Sequence, residues 1–149
     1  MTLQVVRFLS LLFAILALCP GMAHVLELPN KIHLPGESYL RVQQLYRGWA
    51  LVGITVIAAL ASTLILAILV RARPVERAFV VVAFLSLAVT QVIFWTFTFP
   101  VNKRTQNWST LPANWLGLRS RWEYSHAASA IFNFIAIVAL ILAVLQSSC

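Results

Sequence analysis

The chain contains no aspartate, and its only acids are Glu27, Glu37, Glu76 and Glu123. Charged residues are just 10% of 149 positions, against 61% hydrophobic and a mean hydropathy of +0.89. That balance excludes an ordinary soluble domain and matches a multispan membrane protein. Cysteine occurs twice, as Cys19 inside an apolar run and as Cys149 at the last position. Neither has metal-ligand spacing and they lie on separate elements, so the pattern argues against a disulfide framework or a cysteine-based metal site. The bulky Leu18 ahead of Cys19 argues against lipoprotein modification. No nucleic-acid-binding motif accompanies the formal charge of +7. The basic residues flank apolar runs, which assigns them to lipid headgroups and topology, with the bilayer as partner and no nucleic acid.

Four long apolar runs are present, at about 3–24, 48–70, 78–99 and 125–146. Each is long enough to cross roughly 30 Å of hydrocarbon as a helix. None shows strand-like alternation, which leaves helices as the spanning structure. The expected fold is therefore all-α, a four-helix integral membrane bundle forming one domain over 1–149. The first run has features of a signal peptide, but its single Arg7 and the lack of an Ala-x-Ala site favour an uncleaved span. Pro20-Gly21 then predicts a kink near its exit, and Pro29 a stop or a second bend.

The connection "RARPVER" between the second and third runs is short and basic. Those at about 25–47 and 100–124 are long and share the opposite face. Counting Arg and Lys puts the long loops in the cytoplasm, whereas charge density puts the short loop there, so the two forms of the positive-inside rule oppose each other.

Residues able to do chemistry gather on the long-loop face: His24, His33 and His126, three of the four glutamates, and all five Trp and three Tyr. Anchoring at the interface accounts for Trp49 and Trp95. It would apply to both faces, however, and the short-loop face has neither Trp nor Tyr, so an aromatic-lined vestibule is expected. His33, Glu37, Arg41 and Arg119 are expected in the headgroup layer.

Two dyads stand out, His24 with Glu27 and Glu123 with His126, each at a spacing of three that puts both members on one helix face within hydrogen-bond reach. Ionisable groups in a span face the bundle interior or a wet cavity, so the dyads are expected to meet at a shared site. Lys31 extends the first stripe if the helix survives Pro29.

Two chemistries fit. A mononuclear transition-metal site could draw on His24, Glu27, Glu123 and His126. A di-iron set is incomplete, because the third run offers no carboxylate. Metal-free acid–base chemistry would use a carboxylate to orient a neutral imidazole, with His126 or His24 as base. Lys31, Asn102 or Arg104 would stabilise an enolate-like anion, and Trp122, Trp108 and Tyr46 would hold a flat apolar substrate. No cofactor is expected on this second reading.

The stretches "HVLELPNK", "FPVNKRTQNW" and "NWLGLRSRWEYSHAASA", set among four short spans, resemble the DUF1772 (anthrone oxygenase-like) family of membrane proteins. The resemblance covers nearly the whole chain and rests on Pro100-Val101-Asn102 and Trp122-x-x-x-His126. It implies a multi-pass protein of a bacterial inner membrane that oxidises an apolar aromatic small molecule with dioxygen, with Asn102 and His126 as the matching positions. The alternative is a non-catalytic protein that binds a lipid or small ligand, or an accessory subunit, with a structural polar cluster. A transporter is the weakest reading. One four-helix unit without an inverted repeat would need a homodimer to supply a pathway.

Overall fold

The computed structural model describes residues 2–146, so Cys149 lies outside the described residues. Its elements are α1 (Thr2–Lys31), α2 (Gly36–Gln43), α3 (Gly53–Leu69), α4 (Pro74–Ile93), α5 (Phe99–Arg104) and α6 (Trp115–Gln146). Short 3-10 turns at Gln44–Tyr46 and Trp49–Val52 lead from α2 into α3, and a π-helical turn at Phe94–Thr98 joins α4 to α5. Four stretches are long and apolar enough to cross a membrane: Thr2–Lys31, Trp49–Leu69, Pro74–Arg104 and Trp115–Gln146. The chain is an all-α, multi-pass membrane protein.

The spanning helices pack as a ring, α1 against α3, α3 against α4, α4 against α6, and α6 back against α1. Their contact surfaces are largely alanine. Ala14, Ala59, Ala83, Ala136, Ala139 and Ala143 are buried with Leu66, Val80, Leu87 and Leu140 in one core. Lipid is as apolar as leucine, so small residues bind these helices by letting their backbones approach closely. One close approach is at Gly21 on α1, where an added Cβ would lie 3.2 Å from the Cβ of Ala130 on α6.

Two helices run past their apolar stretches. α1 continues through Pro20 and Pro29 to Lys31, so Pro29 neither stops the helix nor keeps Lys31 out of it. At 1.5 Å per residue this helix is about 45 Å long, well beyond the hydrocarbon thickness. α6 starts at Trp115, before its apolar run, and carries Arg119, Trp122 and Glu123 as helical residues. These overhangs lie on the long-loop face and build the site there.

The π-helical turn has a local cause. Pro100 has no N–H for the carbonyl of Thr96, and its ring crowds that carbonyl in a regular helix. The chain slips to a wider register, in which Phe99 N–H reaches the carbonyl of Phe94. The Thr96 carbonyl accepts from Arg121 Nη2 at 2.7 Å, and Thr98 turns inward to share a 2.8 Å hydrogen bond with Ser125 on α6.

On the short-loop face, Glu76 is buried and accepts from Arg7 Nε at 2.9 Å and Arg73 Nη1 at 3.2 Å. This ion cluster fastens the start of α1 to the start of α4.

Candidate functional site

The long-loop face is closed by a second core made of Tyr39, Val101, Trp108, Leu118 and Trp122. Tyr39 comes from α2 and is fully buried. Its ring meets Trp108 edge-on at 4.9 Å. Trp108 sits at the end of a left-handed turn in which Gln106, Asn107 and Trp108 all have positive φ, at 49°, 55° and 59°. Thr105 Oγ1 accepts from the Trp108 N–H at 3.1 Å, and Gln44 Nε2 donates to the Trp108 carbonyl at 3.1 Å. Those contacts press the indole inward, 6.1 Å from the ring of Trp122.

Beneath this lid lies an ionic cluster centred on Lys31, which is only 2% exposed. Its Nζ donates to His24 Nδ1 at 3.2 Å, Glu27 Oε2 at 3.2 Å and Tyr46 Oη at 2.9 Å. It also faces Glu123 Oε2 at 3.3 Å as an ion pair. Tyr46 Oη in turn donates to Glu27. Glu123, 1% exposed, accepts from Tyr39 Oη at 2.8 Å through its other oxygen. Four elements therefore converge: α1, α2, the turn at Gln44–Tyr46, and α6. Burial raises the hydroxyl pKa of Tyr39 well above the ordinary tyrosine value, and the Glu123 carboxylate raises it further. Burial and the bond to Glu27 do the same for Tyr46. Both phenols are thus held as proton donors.

The two histidines stack beside this cluster, their ring centroids 4.3 Å apart. Trp122 packs edge-on against both, at 4.9 Å from His24 and 4.2 Å from His126, and its Nε1 donates to Asn102 Oδ1 at 2.7 Å. Tyr46 at 4.6 Å and Trp49 at 5.8 Å complete the aromatic wall around His24. Because Lys31 donates to His24 Nδ1, a neutral His24 carries its proton on Nε2. His126 is half-buried as a residue, yet its Nε2 is buried and has no hydrogen-bond partner among the described residues. The Glu27 side chain is 44% exposed and Trp49 lies at the surface, so the cluster reaches the surface at these two residues.

No family model, curated protein or solved structure matches the chain. The site's chemistry therefore rests on its own geometry.

His24, Glu27, Lys31, Tyr46, Trp122, Glu123 and His126 form one connected group, with Asn102 and Trp108 at its border. Arg104 is exposed at the end of α5 and stands apart from it. The carboxylate-to-imidazole hydrogen bonds expected inside each dyad are replaced by bonds to Lys31. Glu27 bonds to Lys31 and Tyr46, while Glu123 accepts from Tyr39 and pairs by charge with Lys31, because the ammonium carries a full positive charge that a neutral imidazole lacks. Among the described residues no three His, Cys, Asp or Glu side chains are grouped to hold a metal ion. The Lys31 ammonium stands between the two carboxylates and His24.

Arg119, expected in the headgroup layer, is turned into the protein. It is 8% exposed, donates from Nη1 to the Leu34 carbonyl at 2.7 Å, and lies over the rings of Trp115 and Tyr39 at 4.7 and 5.4 Å. His33, Glu37 and Arg41 are exposed. Reading by residue pairs missed Tyr39 as a site residue. The signal available was its place in the only short amphipathic segment of the long loop, "GESYLRVQ".

Proposed function

We propose that this chain is a small membrane oxidoreductase of the anthrone-oxygenase type, resident in a bacterial inner membrane, that oxidises an apolar aromatic substrate with dioxygen. The observation that carries the reading is His126 Nε2, a buried and unpartnered ring nitrogen within an aromatic wall beside a fixed cation. In its neutral form with Nε2 unprotonated, His126 is a base for an activated C–H. Removing that proton leaves an enolate-like carbanion, which the Lys31 charge stabilises in a low-dielectric setting. The carbanion gives its electrons to dioxygen. The resulting hydroperoxide loses water, so a CH2 plus O2 becomes a C=O plus H2O and the base regains its neutral form. Trp49 and Tyr46, the less buried members of the wall, offer faces for a flat ring system.

The test is oxygen uptake by purified protein in detergent with anthrone as substrate. His126→Ala is expected to abolish substrate-dependent uptake while helix content and monodispersity persist. His24→Gln is expected to retain a fraction of it. An inactive wild type, or an active His126→Ala, overturns the reading. A second reading has its own support, because Lys31 and Glu123 are fully engaged with protein partners. On that reading the cluster only fastens α1, α2 and α6 together and the protein binds without catalysis. An inactive wild type whose Lys31 and Glu123 variants fail to fold is its signature.

A further inference from the structure

A separate feature lies on the opposite, short-loop face. Between α3 and α4 runs a groove with a cavity volume of about 360 Å³, within the range of roughly 300–1,000 Å³ typical of small-molecule sites. Its walls are Leu64, Ala67, Ile68, Val81 and Phe84, and its mouth carries Arg71 and Arg77. The two arginines differ from their neighbours. Arg7 and Arg73 are engaged by Glu76, whereas among the described residues neither Arg71 nor Arg77 has a carboxylate within ion-pair distance. This end of the bundle thus carries four arginines against one glutamate, itself already engaged twice.

The geometry continues this asymmetry. Arg77 stands on the first turn of α4, whose N-terminus has no side-chain cap and whose exposed N–H groups add positive potential. Arg71 follows the end of α3 on the other side of the same groove. Two unmatched guanidinium groups thus stand above a slot whose walls are hydrocarbon. The slot runs toward the membrane interior along two helices that must face lipid. A ligand matching it has an anionic head and an apolar tail, with the negative charge at the level where the helices meet the headgroups.

We propose that this groove is a specific site for an anionic diacyl phospholipid, with its phosphate between Arg71 and Arg77 and one acyl chain along Ala67, Ile68 and Phe84. Arginine suits the role because its planar fork pairs with two phosphate oxygens at once. Ala67 is the smallest residue of the wall, and its lack of bulk leaves the groove open at mid-depth. A lipid held there would bridge α3 and α4 next to their short connection and stiffen the end of the bundle opposite the histidines. The proposal is independent of any catalysis at that far site.

The experiment is native mass spectrometry of the purified full chain in detergent with dioleoylphosphatidylglycerol or dioleoylphosphatidylcholine added. Wild type is expected to retain the glycerol lipid preferentially, in a near one-to-one complex. Each arginine replaced is expected to weaken that retention about fivefold, and Arg71→Gln with Arg77→Gln roughly 25-fold, in line with the usual contribution of one basic residue at an anionic surface. Ala67→Phe is expected to reduce retention with both arginines intact. Should it fail to fold, Ala67→Leu serves in its place. Equal retention of the two lipids by wild type overturns the proposal, as does an undiminished signal in the double arginine variant. Full retention by a folded Ala67 variant also overturns it, since the chain then lies outside the groove. Displacement by soluble glycerol phosphate would show a free-phosphate site and equally overturn the lipid assignment.

Discussion

Lys31 is placed where a lone charge could not survive. A buried ammonium is costly to desolvate, and here the cost is offset by two carboxylates, a phenol and an imidazole around one nitrogen. The same arrangement leaves Glu123 dependent on Lys31, because Glu123 is the most buried acid of the chain. Removing the cation alone therefore strands a carboxylate. Lys31→Met is expected to destabilise the bundle by about 3–5 kcal/mol, read as a fall in thermal midpoint in detergent. Adding Glu123→Gln to that variant is expected to recover part of the loss, because the amide still accepts from Tyr39 and carries no charge. A double variant weaker than Lys31→Met by the full single-variant cost would show that the two residues act separately.

At the scale of elements, the least expected piece is the left-handed turn at Gln106–Trp108. Three consecutive non-glycine residues in that region cost roughly 1–2 kcal/mol each, and they are held by the burial of Trp108 in the second core. Gln106→Gly is expected to relieve about 1 kcal/mol of that strain and raise the thermal midpoint. Trp108→Ala, which removes the anchor, is expected to lower stability by about 3–5 kcal/mol, measured on the same scale. The spans themselves were legible in the sequence, because run length and hydropathy bear directly on membrane crossing. The ends of α1 and α6 were not. Whether a helix passes Pro29 depends on what Lys31 meets on α6, and no local pattern contains that. The meeting of the two dyads in space was anticipated from their shared membrane face, but the pairing within them was not. Lys31 competes for both carboxylates, and competition among partners distant in sequence leaves no trace in spacing. The burial of Arg119 was hidden for a similar reason, since Leu34 and Tyr39 reach it only in the folded structure, although Trp115 lies one turn before it on α6.

Over the whole molecule, polar bonding is concentrated at the two ends, with an alanine-rich seam between. One end holds the Lys31 cluster and the other the Arg7–Glu76–Arg73 cluster, with Arg7 and Lys31 about 36 Å apart along α1 at the helical rise. No residue belongs to both groups, and the contacts between them are mainly apolar, with Asn133 Nδ2 on α6 donating to the Ala17 carbonyl on α1 at 3.5 Å. Their contributions should then add. Arg7→Gln combined with Lys31→Met is expected to equal the sum of the single effects within about 0.5 kcal/mol, whereas two variants within either cluster are expected to depart from additivity by more. Thermal or denaturant melts of the four proteins in one detergent decide it. A large coupling between the ends would mean that the bundle transmits strain along its seam.

The close approach of Gly21 to Ala130 lies about one helical turn below the stacked imidazoles. That contact acts as the spacer between α1 and α6 at the depth of the histidines. Adding one methyl at Gly21 obliges the two helices to part by a few tenths of an ångström, and larger side chains by more. A graded series at this single position would widen the gap between two chemically unaltered imidazoles, converting their separation from a fixed property of the fold into an adjustable variable.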